Sequence, residues 1–370
     1  MRTLFVVVLV AALGWSGYWW AGSRAKEAAL SGWLAEQRAA GWVADADLTV
    51  RGFPNRFDTM VTDLHLADPR SGWSWTAPAF QILALSYRPN HIIAVWPPRQ
   101  TVSSPAERIT VEAERMRGSV RFAPNTGLAL RQALVELKSV SLVSNAGWRA
   151  GISEGQVAIR RAPAGAAPDY GYDVSLTAQT LRLPEPLRAR LDPAGVLPAS
   201  VNGATIRLTP VFDAEWDRRS VEAGLPQLTT LNVGNVSFAW GDMELTVMGR
   251  LDADTRGRAE GTLNVTARNW REMLQLGVRA GWLTQDIVGS VEAGLGILAR
   301  LTGETERLDM TVTFGNGLTR IGPVPIGPAP QLRAPRVRNR PRLGRRRKPP
   351  APAPRAGPDR PGGPSPPGGR

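Results

Sequence analysis

The sequence predicts a mainly β protein of the α+β class, carried on an N-terminal transmembrane helix. Residues 4–21 are uncharged and mostly apolar, and a helix of that length, at ~1.5 Å per residue, approaches the ~30 Å core of a bilayer. From residue 47 onward, apolar and polar residues alternate with a period of two, which is typical of half-buried strands. A helical period returns only near residues 269–301. We therefore expect long antiparallel β-meander sheets, two C-terminal helices before a final strand, and a disordered tail.

Residues 1–22 are interpreted as an uncleaved membrane anchor. The stretch ends in four aromatic residues, as expected where a span meets the lipid headgroups: Trp15, Tyr18, Trp19 and Trp20. The alternative is a signal peptide cleaved near Ala21-Gly22-Ser23, which the bulky tryptophans beside that site disfavour. Flanking charges nearly balance, so the orientation rests on the usual insertion with the N-terminus inside. We expect a single-pass protein of the inner (cytoplasmic) membrane, with the bulk of the chain in the periplasm.

Residues 23–41 predict a juxtamembrane helix that continues or follows the span. The segment is rich in alanine, and Leu30, Trp33 and Leu34 form a short apolar stripe at helical spacing. Residues 42–330 predict a β-rich extracytoplasmic domain of strands joined by short turns. The alternation changes phase near Arg115, which indicates either one bulged strand or a pair of strands.

A second meander has a similar plan to the first. Residues 133–163 resemble residues 57–89 at an offset of 75, so that Gly72-Trp73 matches Gly147-Trp148 and Gln81 matches Gln156. Two interpretations remain open, a coincidence between two meanders or a repeat of stacked hairpins in one long sheet.

The C-terminal third of the domain combines strands and helices. Alternating residues on both sides of Gly241-Asp242 predict a hairpin. Asn269 can cap a helix over residues 269–281, and a second helix is predicted over residues 286–301. Strict alternation over residues 307–315 then predicts the final strand, followed by a turn at Asn316-Gly317 and a proline-rich close.

Residues 331–370 form a basic tail for which no fold is predicted. They contain eleven Arg and one Lys against one Asp, so the rest of the chain accounts for only about +2 of the net charge of +13. Their Arg, Pro, Gly and Ala composition has no apolar period. It is also typical of a GC-rich gene read out of frame, so the tail is either a frameshift product or a disordered basic arm.

Few residues of this chain could carry catalysis. It has no Cys and only two His, so an envelope hydrolase would have to use His65 or His91. Asp252, Asp254 and Gly257 have part of a calcium-loop pattern, but the closing Glu is missing, which favours a hairpin turn. The sequence has no P-loop, zinc or GxSxG pattern. We predict no catalytic, cofactor-binding or metal-binding residues, and no cofactor.

Three segments resemble a known family. VRGFPNRFD, WTAPAFQILALSYRPNH and GPVPIGPAP begin at Val50, Trp75 and Gly322. They are similar to DUF2125, an uncharacterised family of alphaproteobacterial envelope proteins, and the similarity covers residues 1 to about 330. The resemblance supplies no catalytic residue, and the basic tail departs from the family pattern. The plan of anchor, long meander and late helix pair is also similar, at the level of the fold alone, to AsmA-type lipid-transport scaffolds.

These features predict a non-enzymatic, membrane-anchored periplasmic protein. Many strands present one apolar face and only about two helices can cover it, so either two sheets pack face to face or one curved sheet leaves a groove. An apolar groove on an anchored scaffold suits lipid acyl chains, so we expect the protein to bind or guide lipid or to scaffold the envelope. The alternatives are a hydrolase using His65 or His91, and binding of nucleic acid or anionic lipid through the tail. Nucleic acid is not an expected partner, and no protein partner is indicated.

Overall fold

The computed structural model describes residues 1–163, 165, 170–281, 284–286, 288–289, 292, 306–322 and 324–333. Its helices and strands, in chain order, are α1 (Arg2–Ala39), β1 (Val43–Arg51), β2 (Asp58–Asp68), β3 (Trp73–Leu85), β4 (Arg88–Val95), β5 (Arg99–Ser103), β6 (Arg108–Glu112), β7 (Arg115–Phe122), β8 (Leu130–Ser144), β9 (Arg149–Arg161), β10 (Tyr172–Arg182), α2 (Glu185–Leu191), β11 (Ser200–Phe212), α3 (Arg218–Ala223), β12 (Leu228–Trp240), β13 (Met243–Ala253), β14 (Ala259–Arg268), α4 (Trp270–Arg279), β15 (Arg307–Gly315), β16 (Leu318–Ile321) and β17 (Val324–Pro328). The predicted fold class, mainly β with an N-terminal apolar helix, is confirmed.

All of these strands belong to one sheet, and every pairing is antiparallel. Strands that follow one another in sequence pair from β1 to β3 and again from β7 to β17. Between these runs β3 pairs with both β4 and β5, and β8 pairs with both β6 and β7. Consequently β4 and β5 lie end to end at one position in the strand order, and β6 and β7 lie end to end at the next. Of the two architectures left open by the sequence, the structure has the single long sheet.

The predicted phase change near Arg115 is a break between two strands. Strand β6 ends at Glu112 and β7 begins at Arg115. The two strands pair with successive parts of β8.

The hairpins β2–β3 and β8–β9 share the same irregularities. Asp63 in β2 and Ser139 in β8 both have φ of 52°, and each is skipped in the pairing with the next strand. Gly72 and Gly147, which the sequence comparison matched, turn the two hairpins with positive φ. The register with the next strand is the same on both sides of each of these residues, so the apolar residues of the two paired strands change phase together. These shared features are consistent with the repeat interpretation.

One face of the sheet carries an unbroken line of apolar residues, each directly opposite the next. We call this line the apolar row: Ile82, Ala94, Gly118, Val135, Val157, Leu176, Ile206, Val236, Val247, Val265 and Met310. In the strands from β7 to β15, residues adjacent in sequence to the apolar row lie on the opposite face. They form a polar row: Arg117, Glu136, Gln156, Thr177, Thr205, Ser237, Thr246, Thr266 and Asp309. Strand spacing of ~4.8 Å gives the apolar row a length of roughly 48 Å along the sheet.

Three of the buried clusters lie at the ends of the later strands. At one end Trp240, Met243 and Val201 pack with Leu191 of α2, and partly buried residues of α4 join them. A neighbouring cluster contains Trp270 at the start of α4. At the opposite ends of β13, β14 and β15, a third cluster is formed by Leu251, Ala259, Phe314 and Ala329. Helices α2 and α4 therefore close one end of the later strands.

The first of the two predicted C-terminal helices is α4. The second, over residues 286–301, lies mostly outside the described residues, although the Val288 amide donates to the Thr284 carbonyl as in a helix. The predicted disordered tail lies outside the described residues from residue 334 onward.

Candidate functional site

Helix α1 is continuous over 38 residues, a length of ~57 Å at ~1.5 Å per residue. The predicted juxtamembrane helix therefore continues the span without a break. The N-terminal half is apolar, and by length and composition it could cross a membrane. The C-terminal half lies against the start of the sheet, where Leu34 is 5% exposed. The same helix thus provides a candidate membrane span and a cover for part of the apolar face.

A cavity of about 380 Å³ lies between α1 and strands β1–β3. Its walls are apolar and aromatic side chains from both sides: Leu30, Trp33 and Leu34 from the helix, and Leu48, Val61, Leu64, Leu66, Trp75, Phe80 and Ile82 from the sheet. Its volume falls within the ~300–1,000 Å³ that is usual for small-molecule sites. The lining offers almost no hydrogen-bonding group, so an apolar ligand fits it best.

The cavity joins the apolar row through aromatic rings. The Phe80 ring lies 5.4 Å from that of Trp96, centroid to centroid. Trp96 in turn lies over Gly118, where a Cβ atom would come within 3.3 Å of the indole. Since Ile82 both lines the cavity and begins the apolar row, the two surfaces are continuous.

The central part of the apolar row is only partly covered. Every member from Val135 to Met310 is half-buried. None of the members from Val135 to Val265 belongs to a fully buried cluster among the residues that the structure describes. Carbon surface therefore remains accessible along the middle of this face.

The polar row gives the opposite face a different chemistry. Arg117 and Glu136 form an ion pair on adjacent strands, and this contact holds the pKa of the Glu136 carboxyl below its usual value. The Thr266 hydroxyl donates to Asp309 at 2.6 Å. Exposed pairs of this kind contribute little stability, but they make this face polar. The two faces of the sheet are chemically distinct along its length.

A hydrogen-bonded junction holds α1 to the domain. It involves the loop of residues 52–57 and the turn at Ser86 and Tyr87, which we call the rim. Three ring donors of α1 each bond to a backbone carbonyl of the rim: Trp15 Nε1 to Pro54 (3.0 Å), Tyr18 Oη to Ser86 (2.8 Å) and Trp19 Nε1 to Arg56 (2.7 Å). Three of the four rings that the sequence assigned to the lipid headgroups thus contact the domain, whereas Trp20 is 63% exposed.

Close packing and a half-buried cation complete the junction. Gly22 lies against the Phe57 ring so tightly that a Cβ atom would be 2.7 Å from Cζ. The Lys26 ammonium donates to the Phe57 carbonyl at 3.1 Å. Burial lowers the pKa of Lys26, and the nearby Asp58 carboxylate partly offsets that effect.

This junction was not found from the sequence, although a signal for it exists. Trp15, Tyr18, Trp19 and Gly22 are spaced i, i+3, i+4 and i+7, so they share one helix face. Extending the same spacing reaches Lys26 and the cavity-lining leucines. The helix therefore has one continuous face toward the domain from Trp15 to Leu34, whereas the sequence interpretation recognised only its last part.

The structure does not bring His65 and His91 together. His65 in β2 is exposed and lies opposite Thr76, whereas His91 is in β4, at the other end of β3. The positions on β3 nearest the two histidines are about nine residues apart, which is a distance of roughly 30 Å at ~3.3 Å per residue. Neither ring has a hydrogen bond or ion pair within the described part of the chain. Burial and the neighbouring Arg121 and Arg88 lower the pKa of His91.

Asp252 and Asp254 belong to the β13–β14 hairpin. Asp254 Oδ1 accepts from the backbone amides of Arg256 and Arg258, at 2.7 and 2.8 Å, as expected for a carboxylate that organises its own turn. Asp252 pairs with Arg250. Among the described residues, no group of three or more His, Asp or Glu side chains could hold a metal ion.

Comparison with known proteins gives one match. A family model described as an uncharacterised protein conserved in bacteria (DUF2125) matches residues 19–330. No curated protein and no solved structure matches the chain.

Proposed function

This chain belongs to the DUF2125 family, and we propose that it is a non-enzymatic, membrane-anchored protein that holds lipid acyl chains against the apolar face of its sheet. Helix α1 is its single membrane span. We further propose that it resides in the inner membrane with the sheet in the periplasm. In this location the apolar face would receive lipid from the membrane in which α1 is anchored.

The observation that carries the proposal is the apolar row. It runs across eleven strands, and its carbon side chains from Val135 to Met310 are half-buried, whereas the row on the other face is polar. Apolar surface exposed to water costs about 25 cal/mol per Å². A continuous surface of this extent is therefore stabilised by an apolar occupant, and a flexible acyl chain can follow it from strand to strand.

The cavity beneath α1 supports the same occupant. It is apolar, it is continuous with the row, and it adjoins the helix that could span the membrane. Lipid is the apolar molecule present in quantity beside that helix. The position of the cavity therefore favours acyl chains over a soluble ligand.

Photo-crosslinking can test the proposal with a pair of adjacent positions. A photoactivatable phenylalanine is placed at Val236 in the apolar row, or at its neighbour Ser237 in the polar row, in the full chain in its membrane. We expect phospholipid adducts, identified by mass spectrometry, from position 236 and none from 237. Equal labelling at the two positions, or no adduct at 236, would show that the apolar face does not hold lipid.

A charge in the apolar row provides a second test. Val236→Asp places a carboxylate against the proposed acyl chain, which is costly without a partner. We expect the purified variant to lose most of its co-purified phospholipid, whereas Ser237→Asp retains it. Thermal unfolding of both variants shows whether they fold.

The compartment needs its own measurement. Alkaline phosphatase, which is active only in the periplasm, and green fluorescent protein, which fluoresces in the cytoplasm, are fused after residue 330. We expect activity from the first fusion and no fluorescence from the second. The reverse pattern would place the sheet in the cytoplasm.

A further inference from the structure

We propose that the rim of the domain is embedded in the phospholipid leaflet beside α1, as a second membrane contact in addition to the span. This inference rests on the proposed function, because it takes α1 to cross the membrane. It adds the place where the sheet meets the lipid, and therefore the point from which acyl chains reach the apolar row.

The depth of the rim follows from the length of α1. Residues 3–23 are uncharged and lie between Arg2 and Arg24. Such a segment spans roughly 32 Å, which is about the thickness of the hydrocarbon core. Trp15 precedes Arg24 by nine residues and Trp19 precedes it by five, so their rings lie roughly 13 and 7 Å inside the boundary set by Arg24.

The rim is held at that depth by direct bonds. The indoles of Trp15 and Trp19 bond to the carbonyls of Pro54 and Arg56 at 3.0 and 2.7 Å. These carbonyl oxygens cannot lie far above the rings that bond to them. If α1 spans the bilayer with its charges outside the core, the loop of residues 52–57 is below the headgroups.

Most backbone carbonyls of the rim meet the condition for this environment. Irregular backbone is tolerated at membrane depth only where its polar groups are satisfied within the protein. Six carbonyls of the rim accept hydrogen bonds, namely those of Gly52, Pro54, Asn55, Arg56, Phe57 and Ser86. Four of the six accept from side chains of α1. The helix that would bring the rim into the membrane thus also satisfies four of its carbonyls.

The side chains of the rim match a leaflet interface. Phe53 and Tyr87 are both 57% exposed. Exposing aromatic rings to water to this extent is energetically unfavourable. Arg51 and Arg88 are exposed beside them. Exposed aromatic rings, with arginines whose apolar stems lie in lipid and whose guanidinium groups reach up to phosphate, are typical of segments anchored near a membrane interface.

The rim also lies close to the start of the apolar row. Ile82 in β3 precedes Ser86, in the turn that follows β3, by four residues, or roughly 13 Å at ~3.3 Å per residue. An acyl chain leaving the leaflet at the rim could therefore reach the apolar row directly. Entry from the leaflet would not require the chain to cross water.

Depth-dependent quenching tests the inference on the full chain in liposomes. Because the protein has no Cys, Phe53→Cys and Tyr87→Cys each give one site for the fluorophore NBD. Trp73→Cys is the matched control, because Trp73 is 53% exposed and lies at the opposite end of β3. A label at Val8→Cys reports whether the span is inserted in the bilayer. We expect doxyl-labelled phospholipids to quench NBD at positions 8, 53 and 87, with no quenching at 73.

Quenching at position 8 without quenching at 53 and 87 would overturn the inference, because the span would be inserted and the rim would not. Two independent rim sites keep the test valid if one labelled variant fails to fold. Crosslinking at Val236 remains a separate readout. If the rim labels are quenched but position 236 forms no lipid adduct, the rim is embedded and the proposed function is rejected.

Discussion

The apolar face of the sheet has two parts that differ in what covers them. Beneath α1, Val61 and Leu64 are 6% and 4% exposed. In the central strands, Leu176 and Val236 occupy the same face with the same alternation, yet they remain half-buried. Strand sequence alone therefore does not set burial, since one helix closes the first part. The first part is closed by α1 and contains the cavity, whereas the second is an open surface along which an occupant can lie.

The largest effect is expected from equal truncations in the two parts. Leu64→Ala should destabilise the protein by about 2–5 kcal/mol, because its side chain is buried and its removal enlarges the cavity beneath α1. Leu176→Ala should cost about 1 kcal/mol, because its side chain is half-buried and the space left is open. The thermal unfolding midpoints of the two variants in detergent measure the difference. Similar losses in the two variants would mean that both parts are equally closed.

Separating α1 from the rim should give the next largest effect on stability. Gly22→Val places two methyl groups against the Phe57 ring, so we expect α1 to separate from the rim at a cost of about 1–3 kcal/mol. Hydrogen exchange should increase in residues 52–59. Gly17→Val is the control, because nothing lies within 4 Å of the corresponding Cβ position. If Gly22→Val exchanges like the wild type, the helix and the rim are not tightly packed.

The smallest effect is expected from removing one bond of the junction. Tyr18→Phe leaves the Ser86 carbonyl without its 2.8 Å partner, which should cost about 1 kcal/mol. Tyr87→Phe should be nearly neutral, since Tyr87 is exposed. The unfolding midpoints of the two variants provide the measurement. A neutral Tyr18→Phe variant would indicate that ring packing, rather than this bond, holds the helix.

Much of the fold could be predicted because the strands obey a local rule. The alternation of Leu308, Met310, Val312 and Phe314, for example, puts all four on one face of β15 whatever the partner strand. The hairpin around Gly241-Asp242 was equally local, since β12 ends at Trp240 and β13 begins at Met243. Predictions of this kind depend on neighbours in sequence, and the structure confirms them.

The candidate site depended on distant contacts and was predicted only in outline. The apolar groove was one of two open architectures, because alternation does not say whether a second sheet or a helix covers a face. The part of α1 that does so was seen only as a short stripe at Leu30, Trp33 and Leu34. Its bonds to Pro54, Arg56 and Ser86 join residues 37 to 68 positions apart, and no local pattern encodes such pairs.

By itself, the sequence determined that this chain has an uncharged N-terminal helix long enough to cross a membrane, followed by amphipathic strands with one apolar face. These are consequences of composition and period, which act over a few residues. Only the tertiary structure decided that the strands form one sheet, that α1 closes its first strands, and that aromatic rings in the middle of α1 bond to the rim. Those outcomes depend on which distant groups meet, because burial and hydrogen bonding are properties of the assembled surfaces.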